Sequence, residues 1–501
     1  MSAASHEESP RTPVEVTRDT RAPMYRQLSR ALESEIRSGV RPLNIPLPST
    51  RALALELGLS RNTVSAAYAE LLAQGLIEGQ PRRGYFINAE MARSVPHGGA
   101  LPQADAATDA AQLGARDQSW RRLLRACPSA ETPEIIKQPD WERQPFPFVV
   151  GQVDEREFPR LVWARALRDA LEPPHLFHSV RDAVDGDDPE LVRAILRHVL
   201  PARGVRADPE NVLLTIGSQQ GLDLLAHTLA GPGTTVGLED PGYVDARQTF
   251  LRAGATIRPF PVDEDGIVLP ERLSGLDVLY VTPSHQSPTN VTLSRERRLR
   301  LLEQSRAEGT VIIEDDYDSE FRYEGQPIPA LRAHEGAEHV IYLGSFTKFL
   351  APGLRLGYVV ADPDLIRELR RARRYRLRHL PGHSQRAMAL LINSGQYRRT
   401  ITRRRNSLGV KWEMLRTALR EELPWRFPVP PGGVSVWVTG PSSFDGVELA
   451  ERALRHGIVV ERGDVFFAEP ERHRHHIRLG FAAIDLSRIS TGVQRLAQLL
   501  P

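Results

Sequence analysis

The sequence predicts an α/β protein in which a small N-terminal helix-turn-helix module with a β-wing precedes a large domain built on a mainly parallel sheet. Two observations predict this organisation. Short helical patterns separated by glycines fill residues 24–75, and beyond residue 140 strand-like and helix-like runs alternate for more than 300 residues. A chain of 501 residues is long enough to bury a core in each domain.

The N-terminal module, predicted over residues 14–88, contains three short helices followed by a wing. Apolar residues recur at helical spacing in MYRQLSRALESEIRS, which predicts the first helix. Ser49 and Ser60 are placed to cap the second and third helices, and a glycine follows each of the three. The segment LIEGQPRRGYFIN then predicts two short β-stretches around a basic turn.

Between the two modules, residues 89–140 lose apolar periodicity and are predicted to form a linker. The large domain is predicted over residues 141–501. Its strand-like runs, among them NVLLTIG, TVIIEDD and HVIYLGS, are separated by helix-like segments. This alternation is typical of a sheet covered by helices on its faces.

Composition excludes several classes of protein. Cys127 is the only cysteine, which excludes an intramolecular disulfide and a Cys-rich zinc site and favours a cytoplasmic location. No apolar run approaches the roughly 18 residues that a membrane span needs. Only three of the 65 basic residues are lysines, Lys137, Lys348 and Lys411, so a chemistry that requires an amine nucleophile has three candidates.

The formal net charge of +2 means that any nucleic-acid binding must come from a local surface. The second helix of a helix-turn-helix enters the major groove with its N-terminal residues foremost, and Arg61 there has donors for a guanine edge or a phosphate. The candidate DNA-binding residues are Arg51, Ser60, Arg61, Asn62, Thr63, Arg82 and Arg83. The pattern alone equally allows a small helical domain whose arginines form a solvated face.

The segment LPSTRALALELGLSRNTVSAAYAELLAQGLIE resembles the winged-helix DNA-binding domain of the GntR family. This resemblance implies double-stranded DNA as the partner, with paired half-sites in the operator. Leu43 and Asn44 stand where that family usually has a glycine turn, and GQPRRGYFI replaces its usual Gly-x-Gly wing. Contacts from the wing are therefore expected less strongly than contacts from Arg51 and the start of the third helix.

In an open α/β sheet, ligands bind beyond the carboxyl ends of the strands. The polar residues that follow strand-like runs are Ser218, Gln219, Tyr243, Asp315, Asp316, Tyr317, Ser345, Lys348 and, a little further on, Arg355. A lysine, a carboxylate, a phenol and a helix N-terminus that can bind phosphate are the parts of a pyridoxal phosphate site. Each part alone has a commoner explanation, but their joint occurrence in a chain with three lysines favours that site.

From about residue 146 to the C-terminus the chain resembles fold type I aminotransferases, and the two modules together resemble the MocR subfamily of GntR regulators. The sequence segments on which this resemblance rests are IEDDYDSEFRY, YLGSFTKFLAPGLRLGYVV, TPSHQSPT, EDPGYVDARQTF and HHIRLGFA. It implies a three-layer αβα domain of fold type I. It also implies pyridoxal 5'-phosphate (PLP) as the cofactor and a homodimer, because sites of this kind are built at a subunit interface.

The resemblance also implies a role for each site residue. The cofactor-binding residues would be Lys348 (Schiff base), Asp315 (pyridine nitrogen), Tyr317 (ring oxygen), Tyr243 (ring stacking), and Ser218, Gln219, Ser345 and Arg355 (phosphate). Arg478 would bind the carboxylate of an effector. Ser287 replaces an asparagine that normally bonds the ring oxygen, and Asn290 replaces a glycine, which suggests weakened catalysis with cofactor binding intact. His285 is a candidate to compensate.

The favoured function is a transcription regulator that senses an amine, an amino acid or PLP itself. The alternative is a working aminotransferase with an accessory DNA-binding head, for which any activity would be a PLP-dependent half-reaction. A cofactor-free domain is disfavoured because Lys348, Asp315 and Arg355 are all present. The arginine run RELRRARRYRLRH is expected to be a solvated face rather than a second DNA surface, and HRHHIR is not expected to bind metal.

Overall fold

A computed structural model describes residues 23–38, 40–41, 45–81, 83–88, 134–348, 350–425, 427 and 430–500. The chain divides into two compact units, Met1–Cys127 and Pro128–Pro501. The predicted linker lies outside the described residues up to residue 133, and so does Arg82 of the predicted wing. The predicted domain limits therefore remain predictions.

The N-terminal unit contains the predicted helices and wing. Its elements are α1 (Met24–Arg37), α2 (Thr50–Leu57), α3 (Arg61–Ala73), β1 (Ile77–Gln80) and β2 (Gly84–Ile87). The Ser49 hydroxyl accepts a hydrogen bond from the Ala52 amide and the Ser60 hydroxyl accepts one from the Thr63 amide, so both predicted caps are confirmed. The antiparallel β1–β2 wing packs on α3 through an edge-to-face contact of Tyr85 with Tyr68.

The second unit is built on a large sheet with two small accessory sheets. Its strands are β3 (Phe146–Pro147), β4 (Val212–Thr215), β5 (Thr235–Asp240), β6 (Thr256–Asp263), β7 (Gly266–Ile267), β8 (Val278–Val281), β9 (Val311–Asp316), β10 (Val340–Ser345), β11 (Gly357–Val360), β12 (Ser435–Thr439), β13 (Ile458–Val459), β14 (Glu461–Arg462) and β15 (His476–Gly480). The large sheet has the order β4-β11-β10-β9-β8-β5-β6-β7. Strand β11 is antiparallel to both neighbours and β7 is antiparallel to β6, while the other pairs are parallel. The prediction of a mainly parallel sheet is confirmed.

Helices cover both faces of the large sheet. The α-helices of the described part of this unit are α4 (Arg160–Asp169), α5 (Pro173–Val180), α6 (Pro189–Ala194), α7 (Gly217–Leu229), α8 (Val244–Ala253), α9 (Arg295–Glu308), α10 (Pro363–Leu377), α11 (Gly382–Asn393), α12 (Gln396–Glu422), α13 (Gly446–Arg455) and α14 (Ile489–Ala497). Successive strand residues point to opposite faces. Tyr342 and Val360 belong to one apolar cluster, whereas their neighbours Leu343 and Val359 belong to another, so both faces are buried. The second unit has the predicted three-layer α/β fold.

A three-stranded antiparallel sheet of order β12-β15-β14 lies in the C-terminal part of this unit and carries Arg478 on β15. Strand β13 pairs with β3, which joins the start of the unit to its C-terminal part. Among the described residues, no helix combines the length and the apolar character needed to cross a membrane.

Candidate functional site

A pocket lies where strands β5, β8, β9 and β10 end, as expected for ligand sites in open α/β sheets. It brings together six residues that the sequence predicts for the site, namely Ser218, Tyr243, Asp315, Tyr317, Lys348 and Arg478. Residues without a predicted role also line it, among them Lys137, Gly151, Tyr280 and Glu461. Groups far apart in the sequence thus share one pocket.

Asp315 is 4% exposed at the end of β9 and offers an unused acceptor. Its Oδ2 accepts a hydrogen bond of 2.7 Å from the Tyr280 hydroxyl, whereas its buried Oδ1 has no partner among the described residues. Burial raises the pKa of Asp315 to about 7, against the opposing effects of the Tyr280 hydrogen bond and the Lys348 charge. A protonated pyridine nitrogen would supply the donor that Oδ1 lacks and would favour the carboxylate.

The neighbouring Asp316 is fully occupied by structural contacts. Its Oδ2 accepts hydrogen bonds of 2.7 Å from both the Arg203 guanidinium and the Tyr342 hydroxyl. Burial opposes the charge, but Arg203 and the hydrogen bonds hold the pKa of Asp316 below its usual value. Of the two adjacent aspartates, only Asp315 is available to a ligand.

Lys348 lies in the turn after β10, beside Tyr317. Its ammonium nitrogen is 5.8 Å from the centroid of the Tyr317 ring. Burial, followed by the charges of Lys137 and Arg478, lowers the pKa of Lys348, which favours the neutral amine that a nucleophile needs. The Tyr317 hydroxyl donates a hydrogen bond of 3.0 Å to the carbonyl oxygen of His285.

The predicted phosphate-binding residues divide between this pocket and an adjacent cleft. Helix α7 begins at Gly217, whose φ of +72° favours glycine and where an added Cβ would lie 3.1 Å from the Arg355 guanidinium, a tight contact. Ser218 lines the pocket, whereas Gln219 and Arg355 line the cleft. The Ser345 hydroxyl, buried in the turn before Lys348, accepts a hydrogen bond from the Thr347 amide.

Two contacts hold Tyr243 over this part of the pocket. Its hydroxyl lies 3.1 Å from Gln219 Oε1 and 2.9 Å from Asp245 Oδ2, and these two acceptors share its single hydrogen. The ring is thereby fixed at the start of α8, in the pocket that Ser218 and Lys348 also line. Its placement is consistent with the predicted stacking role.

His285 is not among the residues that line the pocket, and its predicted compensation for Ser287 stays a prediction. Its Nδ1 forms a hydrogen bond of 2.8 Å with Asp318, and its Nε2 faces Gly432 so closely that a Cβ there would lie 2.4 Å away. A buried imidazole needs polar partners, and Asp318 supplies one. Ser287 itself lines the pocket.

Arg478 is 5% exposed and is held by a hydrogen-bond chain that starts at Asn290. The Asn290 Nδ2 donates to the Ser435 hydroxyl at 2.9 Å and to the Ser435 carbonyl at 2.6 Å, and Arg478 Nε donates to the same hydroxyl at 2.9 Å. Glu461 Oε2 lies 3.7 Å from Arg478 Nη1. Asn290, a departure from the aminotransferase pattern, therefore helps to orient Arg478.

Lys137 lies in the pocket, although the sequence analysis assigned it to the linker. A Cβ added to Gly151 would lie 3.5 Å from the Lys137 ammonium and 3.6 Å from that of Lys348. Sequence reasoning missed Lys137 because the residues around it have no strand or helix pattern. It also missed Tyr280 and Glu461, which do not follow a strand: Tyr280 lies within β8 and Glu461 begins β14.

In the N-terminal unit, Arg51, Arg61 and Asn62 are exposed at the start of α2 and α3. The Ser60 and Thr63 hydroxyls are 2.8 Å apart and bond to each other. The exposed Arg83 of the wing lies with its guanidinium 5.7 Å from the Phe86 ring centroid. The start of α3 thus presents two polar side chains, Arg61 and Asn62, without side-chain bonds among the described residues.

The arginine-rich helix α10 pairs with acids of the same unit. Arg370 and Arg373 both contact Asp187, at 2.8 and 2.6 Å. The further pairs are Arg367–Asp364, Arg371–Glu368, Arg374–Asp185, Arg376–Asp223 and Arg378–Asp182. Each arginine of the run thus has an acidic partner, and the expectation that this face does not bind DNA stays a prediction.

Two family models match the chain. Residues 24–87 match the bacterial regulatory proteins of the gntR family, and residues 150–496 match aminotransferase class I and II. The two matches fall in the two compact units.

The chain is similar over nearly its whole length to proteins named as regulators. It is 37% identical to the HTH-type transcriptional regulator TauR of Rhodobacter capsulatus, over 91% of this chain and 92% of that protein. It is 32% identical to the probable rhizopine catabolism regulatory protein MocR of Rhizobium meliloti, over 96% and 94%. Among solved structures, LysN, an alpha-aminoadipate aminotransferase from Thermus thermophilus complexed with N-(5'-phosphopyridoxyl)-L-leucine, matches 70% of this chain and 91% of its own, with 31% identity and a TM-score of 0.64.

Proposed function

Because the chain belongs to the MocR subfamily of GntR-family transcription regulators, we propose that it binds PLP at Lys348 and senses a small amine or amino acid. The observation that carries the proposal is the buried, unpartnered Oδ1 of Asp315 in the same pocket as Lys348. A buried carboxylate oxygen without a donor is costly unless a ligand supplies one. As a DNA-binding regulator, the protein would act in the cytoplasm.

The described residues fit PLP at each of its polar groups. Lys348 would attach the cofactor covalently, Asp315 would accept the hydrogen bond of the pyridine nitrogen, and Tyr317 would bond the ring oxygen. Tyr243 would stack on the ring, with Ser218, Gln219, Ser345 and Arg355 for the phosphate at the start of α7. When bound, PLP supplies an electrophilic carbon for amines and an electron-withdrawing ring.

The effector would be held at two ends. Its amine would lie toward Lys348, and its acid group would pair with Arg478, whose guanidinium is oriented by Ser435 and Asn290. A ligand of this kind changes the contacts of the pocket, which is the differential interaction that a regulator needs. PLP itself is the alternative signal, if the apo and holo forms differ in DNA affinity.

The N-terminal unit would bind double-stranded DNA through the start of α3. Arg61 and Asn62 there are exposed, and Arg51 lies on the preceding helix. A homodimer would place two such units on the paired half-sites of an operator. The aminotransferase alternative is less favoured, because the relatives that align with nearly the whole chain are named as regulators.

The test uses the purified full-length protein with and without added PLP. We expect a visible absorbance band that borohydride converts into a stable label on Lys348, and an operator affinity that changes when amino acids or PLP are added. Absence of both the band and the label would contradict the proposal. If amines change neither the spectrum nor DNA binding but PLP addition to the apo protein does, PLP is the signal.

A further inference from the structure

A short segment, residues 134–138, lies along the mouth of the pocket, and we call it the arm. Ile135 anchors it by packing against an apolar cluster that includes Trp437 and Phe466. Ile135 and Lys137 both line the pocket. Towards the N-terminus, the arm continues through residues 89–133 to the DNA-binding unit.

The Lys137 ammonium lies near the reactive lysine, and its charge acts on Glu461, where it opposes the rise in pKa that burial causes. Both ammonium groups flank Gly151, within 3.5 and 3.6 Å of the position that a Cβ there would take. Among the described residues, Lys137 makes no hydrogen bond and no ion pair within 4 Å. An unpaired cation at a pocket mouth is a ready partner for an anionic group.

The charges around Lys137 define what kind of group fits. Glu461 is the nearby carboxylate, but its Oε2 has no hydrogen bond in the described part of the chain and lies 3.7 Å from Arg478 Nη1. Three carboxylates line the same pocket, Asp245, Asp315 and Glu461. Asp245 accepts a hydrogen bond from Tyr243 and Asp315 accepts one from Tyr280. Because the lowered pKa of Lys348 favours its neutral amine, Lys137 and Arg478 are the two cations of the pocket that suit an acid group. An acid group of a ligand would find donors from both Lys137 and Arg478.

We propose that Lys137 is an effector-binding residue that holds the acid group of an amino acid jointly with Arg478, and that this contact ties the arm to the occupied pocket. The inference rests on the proposed function, because the amine of the same ligand is directed at the cofactor on Lys348. The ligand class is an amine that also carries a carboxylate. Ligand binding would thereby act on the segment that leads to the DNA-binding unit.

The experiment compares Lys137→Gln and Lys137→Arg with Arg143→Gln in the full-length holo protein. Arg143 is a matched control, because it follows the arm, its side chain is 80% exposed, and it lies outside the pocket lining. The probes are glycine, β-alanine and 4-aminobutanoate, with methylamine, ethylamine and propylamine as counterparts that lack the acid group. The readouts are the spectrum of the bound cofactor and operator binding.

We expect Lys137→Gln to weaken binding of the most effective amino acid about tenfold, the usual effect of losing a charge-assisted hydrogen bond. The affinity of Lys137→Gln for the matching amine should stay within about twofold of that of the unsubstituted protein. Lys137→Arg should retain most of the affinity for the amino acid. The amino acid should no longer alter the operator binding of Lys137→Gln. A cofactor band of full intensity before titration would establish that the variant is folded and loaded.

Three results would overturn the inference. They are equal behaviour of Lys137→Gln and Arg143→Gln, an equal loss for amino acids and amines, and a lack of response to every amino acid by the unsubstituted protein. None of these removes the cofactor band. Failure of the proposed cofactor site itself would instead appear as a missing band in the unsubstituted protein, so the two failures are distinguishable.

Discussion

Asp315 and Asp316 are adjacent in sequence, yet their surroundings give them different chemistry. Asp316 is neutralised by Arg203 and bonded by Tyr342, whereas Asp315 keeps a free acceptor. No pattern in IEDDYD distinguishes the two, because strand alternation shows only that they point to opposite faces. The resemblance to aminotransferases selected Asp315, and the contacts of Arg203 explain in physical terms why Asp316 is unavailable.

The raised pKa of Asp315 predicts a pH-dependent stability for the cofactor-free protein. With a pKa of about 7 in the folded chain and about 3.9 in the unfolded chain, the folded state binds the extra proton. This contribution to stability is complete below about pH 4 and is lost as the pH rises through about 7. We therefore expect Asp315→Asn, which is neutral and can still accept from Tyr280, to raise the Tm of the apo protein relative to the unsubstituted chain at pH 8.

Calorimetry at pH 5 and pH 8 checks this prediction. The difference in Tm between Asp315→Asn and the unsubstituted apo protein should be larger at pH 8, by roughly 2 to 5 °C. The same variant should bind PLP more weakly, because an amide oxygen does not neutralise a protonated pyridine. A difference in Tm that is the same at both pH values would show that Asp315 is not a buried acid.

Lys348→Ala is predicted to abolish covalent attachment of the cofactor. The lowered pKa of Lys348 favours its neutral amine, and the residue follows a strand of the sheet, whereas Lys137 approaches from the arm. Because Lys137 lies in the same pocket, the substitution alone is not decisive. Borohydride reduction followed by peptide mapping should find label on Lys348 in the unsubstituted chain and none in Lys348→Ala. Label on Lys137 of the unsubstituted protein would contradict the assignment.

Asn290→Gly is predicted to weaken the effector site while leaving the cofactor site intact. The substitution suits the backbone, since Asn290 has a φ of +61°, and it removes the amide that bonds Ser435 and so orients Arg478. We expect affinity for amino acids to fall about three- to tenfold, equivalent to about 1 kcal/mol. Titration followed by cofactor absorbance measures it. Equal losses for amines without a carboxylate would argue against a role through Arg478.

At the scale of the element, local patterns in the sequence predict the helices of the N-terminal unit, the strands of the large sheet and the polar residues at the ends of those strands. The caps Ser49 and Ser60 act within three residues, which is why they are visible in the sequence. The arm and Lys137 are not visible there, because the role of Lys137 comes from a contact with residues more than 200 positions away. The hydrogen bond between His285 and Asp318 is not visible in the sequence for the same reason, since the two residues are 33 positions apart.

Helix α3 is predicted to be the helix that contacts the bases of the operator. Arg61 is exposed in the first turn of α3, where a recognition helix meets base edges. Arg61→Ala is expected to weaken binding to the operator by roughly 1 to 3 kcal/mol, and binding to unrelated DNA of equal length by much less. Fluorescence anisotropy at fixed salt measures both. Equal losses on the two DNAs would make Arg61 a phosphate contact, and no loss would remove α3 from the interface.

At the scale of the whole molecule, the proposed homodimer requires an apolar surface on the second unit where two copies of the chain make contact. Helices α4 and α5, which both pack on α11, expose Leu161 (77%), Phe177 (63%) and Val180 (67%). Large apolar side chains exposed on neighbouring helices are typical of an interaction surface, and a second copy of this chain is the occupant that the fold type I resemblance implies. The full-length protein is therefore expected to sediment as a dimer at micromolar concentration.

Phe177→Asp tests this surface, because burying an unpaired carboxylate between two copies costs several kcal/mol, whereas an exposed aspartate in a monomer costs little. We expect Phe177→Asp to sediment as a monomer and to bind an operator with two half-sites more weakly than the unsubstituted dimer does. Leu299→Asp is the control, since Leu299 is also a large apolar residue that is exposed, at 49%, but lies on α9. It should remain dimeric. If Phe177→Asp and Leu299→Asp sediment alike as dimers, the α4–α5 surface is not the interface. If the unsubstituted protein is a monomer at micromolar concentration, the proposed dimer is wrong, and so is the proposal that two N-terminal units bind the two half-sites of an operator.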